Sequence, residues 1–244
     1  MKNWHSEKLV VNDTNVDFNE TVSVLELMKL FQMVTFNHSQ KIELDHDTMI
    51  KKSNAFWVVT KMKLVLNGEI RSQDKINVTT WTHELGGVRA LRDCTIKCGS
   101  SIKVKGTSEW CCLDFETRKL RKMSSIVYPD LEMEKTKNHN TVFTNMREDV
   151  SAKDLVYQKT IMATDIDLNN HTNNMIYNRI ALDAFTVQEL KQMSIKEYEI
   201  YFVNESYEGE VIDVFKKKVK SYYYIEGKSG DKTIFRVVIK FKKR

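Results

Sequence analysis

One proline, four cysteines and no apolar run long enough for a bilayer stand out as shortages in this chain of 244 residues. Each removes a class of protein. A membrane-crossing helix needs about 20 consecutive apolar residues, and nothing here approaches that, so no membrane span is expected. The opening MKNWHSEKLVVND lacks an apolar signal region and transit-peptide character. A cytoplasmic, bacterial protein is therefore expected.

Cys94, Cys98, Cys111 and Cys112 form neither a C-x-x-C pair nor a Cys/His zinc spacing, so no metal is expected. Cys111 and Cys112 are adjacent in a predicted strand, where side chains face opposite ways and cannot easily bridge. Free thiols in a reducing compartment fit this pattern. His5, His38, His46, His83 and His139 show no ligand spacing and are read as surface or structural residues. Gly86-Gly87 lies between two predicted strands, which suits a hairpin turn better than a phosphate loop.

The net charge of +5 is mild, with basic clusters at 216–220 and 240–244. No nucleic-acid reader motif is present, and few aromatics interleave with the basic runs, so no nucleic acid is expected. A modest positive excess suits an acidic partner through long-range steering.

The lone Pro129 introduces SSIVYPDLEMEKTKNHNT, in which positions 132–141 break every apolar periodicity. This predicts a linker over 131–149 between a first domain, 1–130, and a second, 150–244. Each half repeats one grammar. Ser23 and Glu26 form a capping-box pattern, and Leu27, Phe31 and Val34 follow at helical spacing. Met28, Leu30 and Met33 widen that face, predicting a helix surrounded on all sides. Met175, Ile176, Ile180, Ala181, Ala184 and Phe185 take that part in the second half. Strands are predicted after each helix, at 75–84, 88–97, 102–115, 196–204, 210–219, 221–225 and 234–241. An earlier one sets Val58, Thr60, Met62, Leu64 and Leu66 on one face. Periodicity alone gives an α+β chain with a large antiparallel sheet.

DIDLNNHTNNMIY, residues 165–177, concentrates the chemistry. Asp167, Asn169 and His171 alternate, so an extended chain would point all three one way. Asn173 and Asn174 then begin a helix. A carboxylate, an amide and an imidazole beside a helix start can polarise a carbonyl; an Asx-rich turn capping the helix is the plainer alternative.

DIDLNNHTNN resembles the D-x-D-x-N-x-H-x-N-N signature of the acyl-ACP thioesterases. NAFWVVTKMKLVLN (54–67), WTHELGGVRALRDC (81–94) and SEWCCLDFETRKLRK (108–122) are similar to that family's first half, and FVNESYEGEVIDV (202–214) places Glu205 where the family keeps a catalytic Glu. The resemblance covers nearly the whole chain. It implies a tandem (double) hotdog, each a long buried helix wrapped by an antiparallel sheet. It also implies hydrolysis of fatty acyl–acyl carrier protein to free fatty acid, terminating fatty acid synthesis, with no cofactor.

The resemblance casts Glu205 as base or direct nucleophile, His171 as its partner and Asp167 as the group holding the imidazole. Asn169, with backbone N–H groups at the helix start, would bind the carbonyl. Asp165 belongs to the signature without an assigned role. Many plant relatives carry Cys after the catalytic Glu; this chain has Ser206, which lacks an adjacent base and is not expected to attack. The acyl chain is expected in the first hotdog, against Trp57, Met28, Phe31 and Met62, with Asn173 a further substrate contact. An acidic acyl carrier protein is the implied partner, and the chain is expected as monomer or homodimer. An acyl-CoA thioesterase and a non-catalytic acyl-binding hotdog remain alternatives.

Overall fold

The computed structural model describes every residue except Glu84, Thr136, 139–141 and Arg244, and omits the side chain of Lys243. The expectations for His139 and Arg244 thus lie outside the described residues. The chain divides into two units, Met1–Val142 and Phe143–Arg244.

In the first unit the chain runs through β1 (Trp4–Val10), a short 3-10 turn (Asp13–Asn15), α1 (Val24–Lys41), α2 (His46–Ser53) and β2 (Ala55–Leu66). It continues through β3 (Lys75–Thr82), β4 (Ala90–Cys98), β5 (Ser101–Asp114) and the two-residue β6 (Leu120–Arg121). The antiparallel sheet has the order β1-β3-β4-β5-β2, with β6 on β5. The second unit has β7 (Leu155–Thr160), a 3-10 turn (Ala163–Asp165), α3 (Asn174–Asp183) and α4 (Val187–Lys191). Then follow β8 (Met193–Phe202), β9 (Val211–Val219), β10 (Tyr222–Ser229) and β11 (Lys232–Lys243). Its order is β7-β9-β10-β11-β8, the same topology over again. Each unit is a hotdog, and the chain is an α+β double hotdog.

Both helices lie on one face of their sheet. Ser23 starts α1 by accepting the Glu26 N–H at 3.2 Å. Only that half of the predicted capping box forms, because the Glu26 carboxylate takes Lys29 at 2.5 Å instead. Val24, Leu27, Met28, Phe31, Val34 and His38 are buried, whereas Met33 and Phe36 are exposed. The helix is thus amphipathic rather than surrounded, which corrects the expectation; its buried stripe has the usual period of one packed face. Phe31 lies on Gly106 of β5, where a Cβ would come within 2.7 Å of its ring. Burying each such side chain contributes roughly 1.5–3 kcal/mol.

The β2 pattern needs a second correction. Register shifts between Val59 and Lys61: Val59 faces Trp110, Lys61 faces Glu109 and Met62 faces Ser108. A bulged residue reverses the side-chain alternation. Trp57, Val59, Met62 and Leu64 therefore share the helix-facing side, and Val58 falls on the opposite side from Met62. β1 and β7 had no predicted counterpart, since LV and VYQKT are short and half exposed.

Described residues after Pro129 are fixed by hydrogen bonds. Asn3 Oδ1 accepts from Glu134 N at 3.0 Å, and Asn138 Nδ2 donates to Cys94 and Gly106 carbonyls at 3.0 and 3.2 Å. Further on, Thr144 N donates to Glu199 at 2.7 Å and Asn145 N to the Tyr201 hydroxyl at 2.7 Å. Gly87, at φ 60°, lies in the turn joining β3 to β4. Among the described residues no helix is long and apolar enough to cross a membrane.

Candidate functional site

The segment between β7 and α3 is a closed turn. Asp165 anchors it: its carboxylate, 2% exposed, binds Lys159 at 2.9 Å, Arg179 of α3 at 2.8 Å and the Met162 N–H at 3.0 Å. Burial pushes its pKa up, but the Lys159 and Met162 hydrogen bonds and the Arg179 charge outweigh that and hold it below the usual carboxylate range. This supplies the role that sequence left unassigned. Asp165 ties β7, the turn and α3 together.

From there the chain folds back rather than extending. Asp167 N donates to the His171 carbonyl at 3.0 Å and Asn170 N to the Asp167 carbonyl at 3.0 Å, with Asn170 left-handed at φ 62°. The expected alternation of Asp167, Asn169 and His171 along an extended strand is therefore replaced by a turn. Closure sets the His171 ring between two carboxylates. Its Nδ1 is 3.7 Å from Asp167 Oδ2 and 3.3 Å from the Thr172 carbonyl, and its Nε2 is 3.8 Å from Glu205 Oε1. Separations near 3.8 Å are longer than hydrogen bonds. His171 and Asp167 are half-buried and Glu205 more open, so solvent reaches the group.

Asn169 is exposed on the turn, its backbone N–H bound to Asp167 Oδ1 at 2.8 Å. Asn173 is the N-cap of α3, its Oδ1 accepting the Met175 N–H at 2.9 Å. That oxygen serves the helix. Glu205 comes from the loop after β8, 34 positions downstream of His171 in the sequence. Its Oε2 accepts the Tyr207 hydroxyl at 3.1 Å, and its carbonyl accepts Lys232 Nζ at 2.6 Å.

Ser206 is fully buried. Its Oγ lies 2.8 Å from Thr172 Oγ1 and 2.9 Å from the Tyr177 hydroxyl, and its N–H donates to that hydroxyl at 3.0 Å. Thr172 Oγ1 is also 2.9 Å from the Ser206 carbonyl. One proton arrangement satisfies the whole circuit: Ser206 N–H to Tyr177, Tyr177 O–H to Ser206 Oγ, Ser206 O–H to Thr172, and Thr172 O–H to the Ser206 carbonyl. Sequence reasoning did not single out Thr172, Tyr177 or Tyr207. Tyr177 occupies a core position of α3 and was indistinguishable from packing.

A usable signal lay elsewhere in the chain. VNDTNVDFNETVSV (11–24) and IMATDIDLNNHTNN (161–174) fold alike. Asp17 N donates to the Thr21 carbonyl at 2.9 Å, Asn19 N to Asp17 Oδ1 at 2.8 Å, and Glu20 is left-handed at φ 59°. Val22 N donates to the Ile70 carbonyl at 2.8 Å as Thr172 N does to Ser206 at 2.9 Å. By this register Glu69 corresponds to Glu205, Asp17 to Asp167 and Asn19 to Asn169. Thr21 stands where His171 would.

The residues expected around an acyl chain all lie in the first unit. Met28 and Phe31 are buried on α1, with Trp57 and Met62 half-buried on the helix-facing side of β2. The basic run 216–220 is largely engaged: Lys216 pairs with Glu189 at 2.9 Å and Lys217 with Glu148 at 3.7 Å. Lys218 lies over the rings of Tyr223 and Phe241. Cys94, Cys98, Cys111 and Cys112 are free thiols, and burial pushes Cys94 up to about 11 and Cys112 up to about 12. Among the described residues no His, Cys, Asp and Glu group is placed to hold a metal.

Comparison with known proteins follows the division into units. Residues 2–130 match the family model of the acyl-ACP thioesterase N-terminal domain, and residues 148–243 match that of the C-terminal domain. The chain is 25% identical over 226 residues to oleoyl-acyl carrier protein thioesterase 1, chloroplastic, of Arabidopsis thaliana, covering 86% of this chain and 62% of that protein. It is 26% identical over 207 residues to the palmitoyl-acyl carrier protein thioesterase of the same plant, covering 76% of this chain and 49% of the relative. The chain thus spans about half to three-fifths of these curated relatives. Among solved structures, an acyl-ACP thioesterase from Bacteroides thetaiotaomicron superposes with a TM-score of 0.83 at 23% identity, covering 98% of each chain. A 12:0-ACP thioesterase from Umbellularia californica also reaches 0.83, at 15% identity, over 100% of this chain and 99% of that one.

Proposed function

Since the chain belongs to the acyl-ACP thioesterase family, we propose that it hydrolyses the thioester of fatty acyl–acyl carrier protein to free fatty acid and carrier thiol. The observation carrying this reading is the His171 ring, with one nitrogen toward Asp167 and the other toward Glu205. In this reading the imidazole carries its proton on Nδ1, toward Asp167 and the Thr172 carbonyl, and turns Nε2 to Glu205.

In the proposed reaction Glu205, with His171, takes a proton from water as the water oxygen bonds to the thioester carbon. A positioned base of this kind contributes about 10²–10⁴ in rate. The oxyanion that forms is met by the Asn169 amide, where losing one donor typically costs about 10²–10³. Collapse breaks the C–S bond, and the proton on His171 or Glu205 passes to the departing thiolate. Attack by the Glu205 carboxylate would instead give an anhydride that water then opens. A single turnover in ¹⁸O-water detects the anhydride that water opens at the Glu205 carbonyl carbon, because the unlabelled bridging oxygen of the enzyme then leaves with the first fatty acid.

The acyl chain is proposed to lie in the first unit against Met28, Phe31, Trp57 and Met62. The proposed partner is the acidic carrier protein, in the cytoplasm, where free thiols persist. Monomer and homodimer both suit a chain that supplies two hotdogs itself. Thiol release from acyl-ACP and acyl-CoA, assayed together, tests the reading: faster release from acyl-ACP is expected. Faster release from acyl-CoA would reassign the substrate, and acyl binding without thiol release from either would leave a binding protein.

A further inference from the structure

The circuit of Thr172, Ser206 and Tyr177 is fully satisfied and buried, so none of its hydroxyls is available for chemistry. It nonetheless sits one residue from both reacting groups: Thr172 follows His171, and Ser206 follows Glu205. Tyr177 belongs to α3 and is 2% exposed, with its ring 5.6 Å from that of Phe235. The circuit thus joins the His171 turn, the Glu205 loop and the helix at one point. The first unit supplies an internal control. Val22, Ile70 and Leu27 occupy the matching places, all three apolar and buried, around the same backbone hydrogen bond. Packing this junction therefore needs no hydroxyl. Burying three hydroxyls is tolerable only when all are bonded, and here that arrangement accompanies the His–Glu pair.

Resting on the hydrolytic reading above, we propose that Tyr177, Thr172 and Ser206 are positioning residues, a hydroxyl clamp that fixes the separation of His171 and Glu205. Tyr177 is the key member because it binds the peptide N–H of Ser206 as well as its side chain. Tyr177→Phe strands that N–H and is expected to lower kcat at least tenfold with KM changed less than about twofold. It should also move the acid limb of the kcat/KM profile. Thr172→Ser keeps the hydroxyl and should retain near-wild-type kcat.

The triple variant T172V/S206I/Y177L, copied from the first unit, guards against simple misfolding. It should melt cooperatively near the wild-type temperature yet keep the low kcat. Wild-type kcat in a folded triple variant would overturn the clamp. Ring ¹⁵N resonances of His171, compared in wild type and Tyr177→Phe at one pH, give a reading independent of turnover. They should shift, and identical resonances would also overturn it. Absence of thiol release by the wild-type protein refutes the hydrolytic reading instead.

Discussion

In the first unit Glu69 is bound by Arg71, Nη2 to Oε2 at 3.1 Å; in the second, the equivalent Glu205 is bound by the hydroxyl of Tyr207, also at 3.1 Å. The carboxylate thus meets a guanidinium in the first unit and a phenol in the second. Thr21 replaces the imidazole, and Val22, Ile70 and Leu27 replace the hydroxyls. One backbone has therefore been kept twice, with the His171 imidazole and the three hydroxyls on only one copy. The comparison teaches that Asp-x-Asn and a facing Glu accompany the turn in both units, and that His171 and the three hydroxyls are what the second unit adds.

The sharpest way to break this comparison is to remove each Glu in turn. Glu205→Ala should lower thiol release by about 10²–10⁴, while Glu69→Ala leaves kcat within about twofold. Equal losses would mean that hydrolysis is not confined to the second unit. Ser206→Ala belongs to the same assay. It removes one clamp hydroxyl but keeps the Ser206 N–H on Tyr177, so its loss should be smaller than that of Tyr177→Phe; a loss matching Glu205→Ala would refute the assignment.

Glycine tests come next, because both sheets carry an aromatic ring pressed on a glycine. At Gly227 a Cβ would fall 2.2 Å from the Phe235 ring, against 2.7 Å from Phe31 at Gly106. Overpacking of this kind typically costs about 1–3 kcal/mol. Gly227→Ala should lower the urea midpoint more than Gly106→Ala, and the reverse order would show that Phe235 moves aside more easily than Phe31.

Acid should separate the units more gently. Burial, and then the Arg92 charge at 2.8 Å, lower the His38 pKa from 6.5 to about 4. The unfolded chain therefore binds a proton that the folded one refuses. The stability this contributes is full above about pH 6.5 and is lost as pH falls toward 4. Hydrogen exchange should show α1 and the first sheet opening earlier than the second across that window, and His38→Gln should reduce the difference. The smallest effect is expected for Arg71→Ala. It breaks an exposed ion pair worth about 0–1 kcal/mol and should barely move the melting temperature.

Much of the fold was legible because its signals are local. Ser23 marked the start of α1, and alternation in 234–241 marked β11. The β2 face was misread because a bulge at residue 60 changes parity without any marker in composition. The surrounded helix failed for a related reason: Met33 and Phe36 are apolar but exposed, and side-chain type alone does not tell which apolar positions meet a sheet. At the site, Asp167 and His171 stood out in the pattern of 165–177 and Glu205 through resemblance alone, while Thr172 and Tyr177 were hidden among residues that ordinarily cap or pack.

Sequence by itself settled the residue types, the two helix starts, most strands and the family. Tertiary structure alone decided that Asp167 and His171 meet through a turn, that Ser206 points inward, and that the two halves share one backbone around different side chains. The division has a physical cause. Periodicity and caps act within a few residues of one another, whereas the approach of His171 to Glu205 depends on a strand pairing and a buried hydroxyl circuit between segments far apart along the chain.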